Sequence, residues 1–157
     1  MALRRIVKEP DEILRKKCRP VESFDDKLCV LLDDMKETMR DAEGVGLAAP
    51  QVGILKRVAV VEVGDFYLEM VNPEIVEREG EQIGVEGCLS VENYNCNVAR
   101  PAKLKLKAFD RFGKQFEIEV EGYIARACCH EIDHLDGILF TDRFYSEYKP
   151  EGEDDED

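Results

Sequence analysis

The chain has 157 residues, a length that suits one domain, and its 44% hydrophobic content is enough for one real core. No stretch approaches the roughly 20 apolar residues of a membrane-spanning helix, so no membrane association is expected. The net charge of −13 comes without a clustered basic stripe, which argues against direct, phosphate-driven nucleic-acid binding.

The first ten residues carry Arg4, Arg5, Lys8 and Glu9 around only Ile6 and Val7. That is neither a secretory signal nor a transit peptide, and the cytoplasm is the expected compartment. Pro10-Asp-Glu-Ile-Leu predicts a short helix start. A stronger helix is expected over 25–42, where Leu28, Leu31, Leu32, Met35 and Met39 follow helical spacing. Asp33, Asp34, Lys36 and Glu37 fill its other face. The segment from Gly44 to Gly53 has three glycines and a proline, so it does not continue the helix. Val45, Leu47, Ala48 and Ala49 make it too apolar for a surface loop, and its main chain is expected to pack inside, close to a ligand. No Lys-Ser/Thr follows the glycines, so it is not a phosphate cradle.

Strands are predicted over 57–63 and 66–71, joined by a hairpin turn at Gly64-Asp65. Asn72-Pro73 is expected to break the chain before 74–79. The runs 104–109 and 115–120 alternate cleanly around the loop Asp110-Arg-Phe-Gly113. After Gly122 the pattern predicts a helix over 123–135 that stops at Asp136-Gly137, then a short strand over 138–140. The order predicts an α+β fold of mostly antiparallel strands packed around an internal helix. One domain is expected over 1–148, followed by an acidic, disordered tail over 149–157 that supplies six of the negative charges.

The six cysteines, at 18, 29, 88, 96, 128 and 129, are expected to be reduced, and all but Cys88 to be small buried apolar residues. His130-Glu-Ile-Asp-His134 is the strongest chemical feature. Residues four apart on a helix lie one turn apart on one face, about 6 Å along the axis, so two imidazoles can grip one metal ion. Glu131 stands where its carboxylate can reach a water on that metal. The bland alternative is a surface helix that happens to show the pattern, or a core histidine satisfied by a neighbour. A catalytic site normally has three protein ligands. No histidine follows His134, and downstream only Asp136, Asp142 and Glu147 are weak candidates. Upstream, Cys88 sits beside a glycine in a chain break between strands, accessible to a ligand, although packing is the commoner fate of a lone cysteine. A thiolate with two imidazoles favours iron(II), zinc or nickel over magnesium or calcium.

Gly44-Val-Gly-Leu-Ala-Ala-Pro-Gln51, Glu86-Gly-Cys-Leu-Ser90 and Cys129-His-Glu-Ile-Asp-His134 occur in that order. Together they resemble the three motifs of the peptide deformylases, metal-dependent hydrolases that remove the formyl group from the N-terminal formyl-methionine of newly made proteins. The similarity runs from about Ile6 to Phe144. It implies that Cys88, His130 and His134 hold one divalent ion per chain, most often iron(II), with zinc, nickel or cobalt able to substitute. It implies Glu131 as general acid/base, and Gln51 (side-chain amide) and Leu89 (backbone N–H) as oxyanion donors. Val45, Gly46, Arg100, Tyr123 and Ala127 sit where the family lines its peptide cleft. The implied partners are N-formylmethionyl nascent peptides, with transient ribosome contact.

The chain departs from the family pattern in three places. Cys129 stands where glutamine is usual, and Glu92 where proline is common. The residues after Tyr148 are acidic, where some bacterial members carry a basic helix that docks on ribosomes, so docking by that means is not expected. Two rival readings are a zincin-type peptidase and a non-catalytic peptide-binding module of the same family. Against the first stand the absent downstream ligand and the cysteine motif. Against the second stands the presence of both Glu131 and Gln51.

Overall fold

A computed structural model describes residues 2–149, so all but the first residue of the acidic tail lies outside the described residues. The elements are α1 (Asp26–Asp41), β1 (Gly46–Ala48), β2 (Val58–Val63), β3 (Phe66–Glu79), β4 (Gln82–Cys88), β5 (Val91–Arg100), β6 (Lys103–Phe109), β7 (Gln115–Glu121), α2 (Gly122–Leu135) and β8 (Phe144–Glu147). The fold is α+β, and every strand pair is antiparallel. One sheet runs β1-β2-β3-β6-β7, and a smaller one runs β4-β5-β8.

Both faces of the large sheet are covered at β1 and β2. Val58 and Val60 join Leu47 and Val71 against Leu28, Leu31, Leu32, Met35 and Met39 of α1. Ala59 and Val61 point the other way, joining Met70, Leu106 and Ala108 against Ala125, Cys128, Ile132 and Leu135 of α2. Burial on both faces explains why β2 opens with four buried apolar residues and no polar alternation. β6 keeps α2 on one face only, so Leu104, Leu106 and Ala108 alternate with Lys103, Lys105 and Lys107. Each large aliphatic side chain removed from water contributes roughly 1.5–3 kcal/mol. α1 begins where the Asp25 carboxylate accepts from Leu28 N at 3.1 Å.

Several expectations need correction. Asp34 is not on the solvent face of α1: it is buried, accepting from Ala2 N at 2.7 Å and Arg4 Nε at 3.0 Å of the N-terminal segment laid over it. The start at Pro10 is a single 3₁₀ turn, Glu12–Arg15. Gly44 to Gly53 leaves the helix and packs inside as expected, and within it the chain forms a buried three-residue strand and a 3₁₀ turn, Ala49–Val52. Asn72-Pro73 does not end β3. Asn72 takes φ 52° at a bulge, and its side chain bonds Val21 N and Val21 O, so the strand bends and continues. No strand forms over 138–140. Gly137 at φ 76° ends α2, and the Asp142 carboxylate accepts from Leu139 N and stabilises a 3₁₀ turn, Phe140–Arg143. The terminal strand is Phe144–Glu147, one turn later. Cys29 is only half-buried, whereas Cys18, Cys96, Cys128 and Cys129 are buried and free.

Candidate functional site

α2 leaves β7 through Gly122 at φ 63° and runs beneath the large sheet, carrying His130, Glu131 and His134 into the interior. The two imidazoles have ring centroids 5.1 Å apart. The partner they lack on the helix comes from the small sheet. Register shifts between Glu86 and Cys88, so the end of β4 bends and turns the thiol towards α2. Cys88 Sγ lies 3.3 Å from His134 Nε2, and one ligand atom from each of Cys88, His130 and His134 lies within 4.8 Å of the others. Of the other candidate carboxylates, Asp136 pairs with Arg57, Asp142 with Arg15 and Leu139 N, and Glu147 is exposed at the end of β8 and outside the converging group.

This donor set fits a divalent transition-metal ion. One sulfur and two imidazole nitrogens converge, and beside them Glu131 Oε1 is buried with no hydrogen-bond partner. An unsatisfied buried acceptor costs about 1–3 kcal/mol, so a bound group that engages it is strongly favoured.

The His130 ring is fixed from behind. Its Nδ1–H donates to Glu86 Oε1 at 2.9 Å, which turns Nε2 towards Cys88 and His134. Arg100 grips Glu86 through Nε and Nη2 at 2.8 and 2.9 Å, and Arg126 adds a third contact at 2.7 Å. Arg100 also reaches Asp133 at 2.7 Å, which Arg143 holds in turn. Burial alone would raise the Glu86 carboxyl, but the bonds from Arg100 and His130 win and hold it well below the usual carboxylate range.

Burial and the neighbouring charges of His130 and Arg100 keep His134 well below the ordinary histidine range, so its imidazole is neutral with a lone pair to offer. Burial likewise opposes charge on His130, yet its bonds to Cys88 and Glu86 outweigh that and lift it to about 10. Burial pushes Glu131 up to about 7. The ion-free site therefore holds protons at neutral pH, and a divalent ion must displace the one on His130. Apparent metal affinity should rise about tenfold per pH unit for each proton displaced, from below pH 7 towards 10. Competition titrations with a calibrated chelator at several pH values measure this, and a flat profile contradicts it.

Gln51 is buried in the 3₁₀ turn after β1. Its Oε1 accepts from Ala48 N at 2.9 Å, and its Nε2 lies 3.6 Å from Cys88 Sγ. Gly46 of β1 lies directly against Glu131: a Cβ there would stand 2.4 Å from Glu131 Oε2 and 2.8 Å from Cγ and Cδ. Gly46→Ala must therefore displace the carboxylate. Any reaction in which Glu131 takes part should slow at least about tenfold with the fold intact, since small displacements of a reacting group carry penalties of that order. Circular dichroism beside activity separates this from misfolding.

A cleft of about 80 Å³ opens over the site. Val45, Tyr123 and Ala127 line it, with Val85 and Leu89 on the facing side and Cys88, His130 and Glu131 within. Arg100 is not on this wall: its side chain is 3% exposed and committed to Glu86 and Asp133. Arg126 lines the cleft instead. Val85 and Arg126 were not anticipated from the sequence. Arg126 precedes His130 by four residues on one helix, and that spacing is the signal that could have found it. Cys129 faces the α2 core, where burial raises its thiol to about 11, and it is not among the converging donors. Glu92 is at the surface and pairs with Lys8. A wider groove of about 540 Å³ under the N-terminal segment meets the site only at Leu89, and no histidine or cysteine lines it.

The chain has relatives that match it over nearly its whole length. Residues 3–150 match the family model described as polypeptide deformylase. The chain is 61% identical to peptide deformylase of Caldicellulosiruptor bescii, with 94% of this chain and 90% of that protein covered. It is 52% identical to peptide deformylase 1 of Bacillus subtilis, covering 98% and 96%. The fold superimposes on the crystal structure of peptide deformylase from Thermotoga maritima with a TM-score of 0.89 at 42% identity, covering 91% of this chain and 98% of that one. Similarity this strong over nearly the whole length leaves one assignment: the chain belongs to the polypeptide deformylase family.

Proposed function

We propose that this protein hydrolyses the formamide of N-terminal formyl-methionine on newly made proteins, releasing formate, with the reaction centred on Cys88, His130, His134 and Glu131. The observation that carries this is the convergence of the three donors beside a buried, unpartnered Glu131 Oε1. The three donors hold one divalent ion per chain, iron(II) by preference, with zinc, nickel or cobalt able to substitute. When bound, the ion supplies a Lewis acid that makes water a competent nucleophile near neutral pH. Glu131 accepts the proton of the attacking water and returns it to the leaving amine nitrogen. A carboxyl lifted to about 7 suits both transfers. The charge that develops on the formyl oxygen is met by an Nε2 hydrogen of Gln51 and by Leu89 N–H.

The peptide main chain pairs with the unpaired outer edges of the two sheets beside the cleft, β1 on one side and β4 on the other. The methionine side chain lies among Val45, Tyr123 and Ala127. Arg100 supports the site from behind, through Glu86. Residues 1–148 act as one catalytic domain in the cytoplasm, and any ribosome contact is transient. A structural metal site would be closed by a fourth protein ligand, and Cys129, packed in the core, does not provide one.

The test is formate release from a formyl-Met peptide, with protein purified under reducing, oxygen-poor conditions, iron(II) or nickel added, and a chelator control. Metal-dependent release with the peptide bond intact is expected. No release from a sample holding one ion per chain overturns the proposal.

A further inference from the structure

Ser90 is completely buried one residue beyond Leu89, and the chemistry above assigns it nothing. Its hydroxyl lies 2.6 Å from Val7 O and 3.1 Å from Gln51 Nε2. A carbonyl oxygen can only accept, so the Ser90 hydrogen goes to Val7. That leaves the Ser90 oxygen as an acceptor, and the atom of Gln51 facing it must be the NH₂ group. At the other end of the amide, Ala48 N can only donate, so Gln51 Oε1 faces it. Two independent contacts thus select the same amide orientation, and it is the one that aims the second Nε2 hydrogen towards Cys88 Sγ. The N-terminal strap is tied to the same two residues through the main chain: Val7 N donates to Gln51 O at 2.7 Å, and Glu9 N to Ser90 O at 2.9 Å.

We propose that Ser90 is a positioning residue: held by the Val7 carbonyl, its hydroxyl fixes the Gln51 amide so that one N–H is kept for the oxyanion. The N-terminal strap is thereby part of the site's support, although no residue of it need touch substrate. This inference rests on the deformylase reading for its kinetic consequence but not for its structural one.

Ser90→Ala should lower kcat about tenfold with KM changed less than about twofold, the scale of one well-placed hydrogen bond. If Ser90 acts through Gln51, adding Ser90→Ala to Gln51→Ala should change kcat less than about twofold further. A full further tenfold loss in that background overturns the proposal, as does unchanged kcat in Ser90→Ala. Independently of activity, the Gln51 side-chain NH₂ protons of the ¹⁵N-labelled protein, assigned by their absence in Gln51→Ala, should exchange slowly in the parent and fast in Ser90→Ala. Equal exchange in both overturns the proposal even if the parent released no formate, whereas changed exchange with an inactive parent faults only the deformylase reading. If Ser90→Ala does not fold, Ser90→Cys, which fills the space with a poorer donor and acceptor, takes its place in the same scheme.

Discussion

Glu131→Gln should lower formate release by about a hundredfold to ten-thousandfold, the range expected for a lost general acid/base, while leaving one ion bound per chain. The converging donor atoms belong to Cys88, His130 and His134, and glutamine fills the same buried space as Glu131, so that candidate donor set is undisturbed. Turnover beside metal content by elemental analysis reads both halves. Near-parental turnover would remove Glu131 from its role, and loss of the ion would make it a structural residue. The substitution also has a sign in stability. Burial raises the folded carboxyl from 4.5 to about 7, so its contribution is fully present below pH 4.5 and is lost as pH rises through 7. The ion-free Gln variant should therefore melt at a higher temperature than the ion-free parent at pH 8, with the gap closing towards pH 5.

Glu86→Ala should destabilise the protein by about 3–5 kcal/mol, because it leaves Arg100 and Arg126 charged in the interior with their shared carboxylate gone. For a chain of this size that lowers the melting temperature by roughly 6–20 °C. The same change frees the Nδ1 side of His130, and metal affinity should fall roughly ten- to hundredfold in whatever fraction folds. The pH dependence follows from the same contacts. The folded Glu86 carboxyl lies well below 4.5, so its stabilisation is present above pH 4.5 and is lost as pH falls through the folded value. The acid limb of the parent's melting curve should be shallower in Glu86→Gln. A parallel limb in both proteins would show that another carboxylate governs it.

Much of this was legible in the linear chain, because local rules wrote it. The α1 stripe, the hairpins at Gly64-Asp65 and Asp110 to Gly113, and α2 itself depend on periodicities of 3.6 and 2 and on turn residues that act over a few positions. The spacing of His130 and His134 is likewise a helix property, so their shared face could be read before any fold was known. The family resemblance rested on contiguous motifs, and the match over residues 3–150 agrees with it.

What the tertiary structure decided depends on partners distant in sequence. β4 and β5 carry glycines and asparagines that argue against strands, and they form because each completes the other's ladder. Asn72 keeps β3 running past Pro73 only because Val21 satisfies its side chain. Asp34 looks like a solvent residue until the N-terminal segment covers it. Arg100 seemed to be a cleft residue because motif position says nothing of burial. Inside the protein a guanidinium needs carboxylates, and Glu86 and Asp133 draw it behind His130. The sequence by itself determined which residues could bind a metal and move a proton. Only the packing of the small sheet's edge against α2 brought Cys88 within 3.3 Å of His134 and stood Glu131 beneath Gly46, because those approaches join segments that no local rule connects.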